Sequence, residues 1–144
     1  MQFVSVTRLK LRSIWKFFAF RKANEASIKA LQQFDGLVEA HELMDKGLTF
    51  WTLTVWDSQE AMMHFRNSPA HREAMRSLPD WCEEASYHHW VSNADEQVNW
   101  EIASSKLLNE GKLSKVRNPS KNQTKGAFPP MRWTKTNRVL KKRT

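Results

Sequence analysis

Of the side chains suited to proton transfer, the five histidines of this 144-residue sequence are the informative ones, and two stand in settings that favour base chemistry. His71 lies in "NSPAHREAM" (67–75), where Ser68 reads as a helix cap and Pro69 as a first-turn residue. An imidazole in the first turn sits near the positive end of the helix dipole, which disfavours imidazolium and leaves the ring available as a base. His71, Met75 and Leu78 are spaced to share one helix face. His88 lies in "ASYHHWVS" (85–92), a strand pattern with His88 and Trp90 on one side and Tyr87, His89 and Val91 on the other. Adjacent strand residues point opposite ways, so at most one of His88 and His89 faces an interior. His71 and His88 are therefore the candidate bases. The plainer reading of His71 is a core-edge histidine bonded to a backbone carbonyl or to the Ser68 cap. His41 falls on a hairpin strand and His64 on the solvent side of a helix.

Trp15, Phe18, Trp51 and Phe65 either wall a pocket for an aromatic molecule or pack a core. Trp56 ends a strand and reads as a plug at the strand–helix joint, with ligand stacking as the alternative. Arg21, if turned inward, would hold an anionic substrate or oxyanion; otherwise it snorkels to solvent. His41, His64, His71, His88 and Cys82 lack the tight spacing of a ligand set, so no metal is expected. Four glycines supply no phosphate-cradling loop, and a nucleophile elbow is absent.

These residues need a frame. "QFVSVTRL" (2–9) alternates as a strand, with Phe3, Ser5, Thr7 and Leu9 on one face and Val4 and Val6 on the other. Ser13 opens a helix through Phe34, with Ile14, Phe17, Phe18, Ile28 and Leu31 as its apolar stripe and "DG" (35–36) as its stop. "LVEAHELM" (37–44) and "LTFWTLTVW" (48–56) form a hairpin whose turn uses Gly47. Asp57 and Glu60 have capping-box spacing and start a helix with Met62 and Phe65 inside. Pro79 ends the next helix, 85–92 is the fourth strand, and 93–111 is a further helix with an Asn93/Glu96 cap.

The order β-α-β-β-α-β predicts an α+β, ferredoxin-like sandwich spanning residues 1–92, followed by the 93–111 helix and a basic, extended or partly disordered tail, 112–144. Such a sheet carries helices on one face. The other would show Val4, Val6, Trp51, Leu53 and Val55, which predicts a homodimer that buries this face in a dimeric α+β barrel.

Charge divides the chain unevenly. Residues 1–105 hold 11 Lys/Arg against 14 Asp/Glu, and residues 106–144 hold 12 against 1, so the net +8 belongs to the tail. Clustered Lys and Arg suit a nucleic-acid or anionic-surface contact. The tail has no nucleic-acid-binding motif, however, and Trp133 suggests a strap over the dimer partner instead. A single cysteine excludes an intrachain disulfide and suits a reducing compartment. With no apolar run of about 20 residues and no leader-like start, a cytoplasmic protein without a membrane span is expected.

The opening strand "FVSVTRLKLRS" (3–13), "FWTLTVWDSQEAMMHFRNSPAHREAM" (50–75) and "LPDWCEEASYHHW" (78–90) resemble the antibiotic-biosynthesis-monooxygenase superfamily of dimeric α+β barrels. With "GKLSKVRNPS" (111–120), they are closest to an uncharacterised branch of it. The resemblance implies a ligand cavity between sheet and helices, and either oxidation of quinol-like aromatics by dioxygen without a cofactor or haem degradation. The haem-degrading pattern requires Asn, Trp and His where register places Thr7, Phe65 and Met75, so that activity is not expected. For direct oxidation, His71 or His88 would be the base. Thr7, Trp15, Phe18, Arg21, Trp56, Phe65, Met75 and Trp90 would contact the substrate. The alternative is a non-catalytic dimer that holds a small ligand in the cavity or a polyanion on the tail.

Overall fold

The computed structural model describes residues 1–93, 96, 98–133 and 135–143. Its strands are β1 (Gln2–Leu11), β2 (Leu37–Asp45), β3 (Thr49–Trp56), β4 (Cys82–Ser92), β5 (Lys112–Leu113) and β6 (Arg138–Lys141). Its helices are α1 (Phe17–Gln32), α2 (Gln59–Arg66), α3 (Pro69–Arg76), α4 (Leu78–Trp81), α5 (Trp100–Glu110) and α6 (Lys121–Lys125). All neighbours in the sheet are antiparallel, in the order β5-β4-β1-β3-β2-β6. The central β4-β1-β3-β2 run is the ferredoxin-like arrangement expected from the sequence.

Register assigns the two faces. Ser5 pairs with Thr54 and His89, and Thr7 pairs with Thr52 and Tyr87, so these residues share the face beneath α1–α4. Val4 pairs with Val55 and Trp90, and Val6 with Leu53 and His88, on the opposite face. That opposite face was expected to await a second subunit. Instead, Val4, Val6, Trp51, Leu53 and Val55 are fully buried within one chain, against Ala103 and Leu107 of α5 and, at the margins, Trp100, Phe128 and Met131. Helices were expected on one face only; here the chain's own C-terminal segment covers the other. Within the stretch read as a basic, extended or partly disordered tail, Lys112–Leu113 and Arg138–Lys141 form two edge strands and Lys121–Lys125 the short helix α6.

Several boundaries differ from the sequence reading for local reasons. Residues Ile14–Lys16 form a 3₁₀ turn before α1. Its three-residue period puts Ile14 and Trp15 out of phase with the helix that follows, and Phe20, Ile28 and Leu31 are the buried α1 residues. Ser58, not Asp57, caps α2, its Oγ accepting the Ala61 N–H at 3.1 Å. Pro79 sits in the first turn of α4, where its missing N–H costs nothing, and does not terminate a helix. Asn93 and Glu96 bond to one another, whereas Asn99 caps α5 through the Ile102 N–H; residues 94, 95 and 97 of the expected 93–111 helix lie outside the described residues.

Candidate functional site

A cavity of about 260 Å³ lies between the sheet and α1–α4. Its floor explains why it exists. Ser5, Thr7, Thr52 and Thr54 are cross-strand neighbours at the sheet's centre, and four small side chains there leave room that larger ones would fill. Phe20, Ile28 and Leu31 of α1 and Met62 and Phe65 of α2 form apolar walls, and α3 contributes His71 and Met75. Trp56 stacks on Phe65 at 5.7 Å and donates its Nε1–H to Thr54 Oγ1 at 2.9 Å, so it both packs the joint and borders the cavity.

His71 is placed by the Ser68 cap, whose Oγ accepts the His71 backbone N–H at 3.4 Å. Its ring lies 4.8 Å from that of Phe65. The bond to Ser68 is made by the backbone, and the ring's Nδ1 is buried without a hydrogen-bond partner. Burial, and then the nearby Arg66 charge, hold the imidazole below its ordinary pKa. Both effects favour the uncharged ring at the edge of an apolar space.

His88 and Trp90 are not in the cavity. They stack at 5.8 Å on the opposite face, where the His88 ring is 3.8 Å from the Glu110 carboxylate of α5. His89 is the strand histidine that lines the cavity, beside Tyr87 and Phe3. Desolvation also lowers the His89 pKa, with Arg66 adding to the effect. Trp15 and Phe18 are 84% and 74% exposed, because the 3₁₀ turn and the phase of α1 turn them outward. Arg21 is exposed, its guanidinium 6.0 Å from the Phe17 ring centroid and outside the cavity. Thr7, Trp56, Phe65, Met75 and His71 are the sequence-selected residues that the fold brings together.

The cavity also holds polar residues that sequence reasoning passed over. Asn24 of α1 donates to Glu42 Oε2 at 2.6 Å. Burial raises the Glu42 pKa despite that bond and despite Arg138, 3.7 Å away on β6. Burial thus shifts Glu42 and His71 in opposite senses, each toward its uncharged form. One signal was present: Glu39 and Glu42 are three apart on one strand, so one of them must face the helices. Cys82 is buried and its thiol is pushed up to about 12, which removes it as a nucleophile. Among the described residues, no three His, Cys, Asp or Glu side chains come together as a metal site. Nor is any helix among them long and apolar enough to cross a membrane.

The fold is the α+β barrel type with an antiparallel ferredoxin-like sheet. Residues 18–77, from α1 through α3, match the family model described as antibiotic biosynthesis monooxygenase. Among solved structures, a Mycobacterium tuberculosis protein aligns with a TM-score of 0.61 at 14% identity, covering 67% of this chain and 100% of its own. A conserved protein from Methanosarcina mazei aligns at 0.59 and 11% identity, covering 65% and 94%. SnoaB, a cofactor-independent oxygenase from Streptomyces nogalater, aligns at 0.54 and 14% identity, covering 66% and 98%. Comparison with curated proteins gave no match. The structural likeness establishes the fold; it also shows that about a third of this chain has no counterpart in these relatives.

Proposed function

We propose that the chain is an oxygenase of the antibiotic-biosynthesis-monooxygenase type, acting without a cofactor on a small aromatic or quinol-type molecule held between sheet and helices. The observation that carries this reading is the His71 imidazole, which lines an aromatic-walled cavity and is held below its ordinary pKa by burial. Triplet dioxygen reacts slowly with closed-shell organics, so the protein's task is to make an electron-rich anion. His71 takes a proton from an acidic CH₂ of the substrate, and the apolar walls raise the reactivity of the resulting anion. The anion passes one electron to dioxygen, and recombination followed by return of the proton gives a hydroperoxide. Loss of water then leaves a carbonyl. One dioxygen supplies the carbonyl oxygen and the water, so no external reductant is required. Glu42, whose pKa burial raises, and its partner Asn24 are the polar groups of the cavity nearest in kind to what a developing oxyanion would need.

SnoaB's description as a cofactor-independent oxygenase supports this class of chemistry. An oxygen electrode with a panel of anthrone-like and quinol substrates tests it. Stoichiometric oxygen uptake that falls about 10²–10⁴-fold in His71→Ala is the expected result. Ligand binding without uptake, or a His71→Ala variant as active as the parent, would overturn it; the first outcome would leave a non-catalytic binding protein.

A further inference from the structure

We infer that the C-terminal segment, residues 98–143, is a built-in substitute for a second subunit, so that this chain closes its own barrel and completes its cavity as a monomer. The covered face is the first argument: five apolar side chains that would drive pairing of two sheets are already fully buried under α5 and the stretch after it. Polar matching is the second, and it is more specific than apolar contact. Arg8 and Glu84 form a buried ion pair at 2.7 Å on this face, and the other Glu84 oxygen accepts from Ser120 Oγ at 2.7 Å and Asn122 Nδ2 at 3.4 Å. Asp45, buried beside Trp51, accepts the Arg132 backbone N–H at 2.9 Å. Gln123 bonds the Ala85 N–H and the Ser114 carbonyl. Arg8 Nε is left without a partner, but the other buried polar groups here are met by atoms of the C-terminal segment, as in a native cover.

Both sheet edges end in short strands, the two-residue β5 on β4 and the four-residue β6 on β2, and short edge strands offer little ladder for another copy to extend. The same segment reaches the cavity, through Ser114, Lys115 and Val116 in its wall and Arg138 beside Glu42. The relatives cited above align over 94–100% of their own length with only about two thirds of this chain, so the cover is additional to the shared fold.

Sedimentation equilibrium of the full chain from about 1 to 200 µM, with no substrate present, tests the proposal independently of any oxidation chemistry. One species of 16.9 kDa throughout is the expected result; a species of twice that mass across the range overturns it, whether the second copy pairs sheets or exchanges α5. Leu107→Glu, which sets a carboxylate against the covered face, supplies the second readout. Bound ANS rising several-fold, with concentration-dependent association, is expected. A Leu107→Glu chain that stays monomeric, binds no ANS and melts as the parent does would show that α5 is not the cover.

Discussion

The neutral imidazole at His71 sets a direction for the pH dependence of activity. Because desolvation depresses its folded pKa, the acid limb of kcat/KM falls below the ordinary value of 6.5. Stability carries the same sign: the contribution is complete above the unfolded value and is lost as pH drops through the depressed one. A profile with its acid limb above 6.5 would contradict this. Glu42 runs the other way. Its raised pKa means the contribution to stability is complete below the unfolded value of 4.5 and is lost as pH rises through the folded one. Glu42→Gln removes that loss, so urea melts at pH 4 and pH 7 should show the variant gaining on the parent at the higher pH. The sequence made His71 legible through its cap and helix position. Because both sides of that strand carry aromatic neighbours, it favoured His88 over His89 as the strand histidine facing the helices, whereas the register puts His89 there. Only pairing with β1, which aligns Trp90 with Val4, decides which side meets the helices.

Strands and hairpin were readable from alternation, α3 from its Ser68 cap and α2 from its apolar spacing with the cap read one residue early, whereas the start of α1 was not. A 3₁₀ turn leaves no pattern of its own and displaces the apolar stripe that follows, so Ile14, Trp15 and Phe18 were placed inside when they face out. Two element-scale tests follow from the joints that hold the cavity. Ser68→Ala removes the cap that seats His71 and should cost about 0.5–2 kcal/mol by chemical denaturation. Gly36, between α1 and β2, has φ of +88°, and an added Cβ would lie 2.6 Å from Ala61 Cβ and 2.8 Å from Asp57 Oδ1. Gly36→Ala should therefore lose more than about 1–2 kcal/mol, the backbone cost of left-handed geometry alone, because the close packing of α2 adds to it. Thermal melts resolve this readily, since each kcal/mol moves Tm by about 2–4 °C at this size.

At the scale of the whole molecule, the buried Arg8–Glu84 pair is the point most sensitive to a one-sided change. Burial favours a protonated Glu84, yet bonds from Arg8, Ser120 and Asn122 with the Arg8 charge hold its pKa below the ordinary value. Arg8→Met strands that carboxylate and should cost about 3–5 kcal/mol. Arg8→Met with Glu84→Leu should recover much of the loss, and denaturant midpoints of the two variants make the comparison. The lopsided charge of the C-terminal segment was visible from composition, but its folded role was not. Strands of two and four residues, and a glutamine that bonds a neighbouring strand, carry no period to detect. The β2–β6 ladder joins His41 to Val139, 98 positions apart. Contacts of such separation repay the entropy of closing a long loop only late, so the last step of refolding should be slow relative to a domain built from local hairpins. Until that step, the chain presents its oiliest layer to whatever is nearby, and yield on refolding should fall as protein concentration rises.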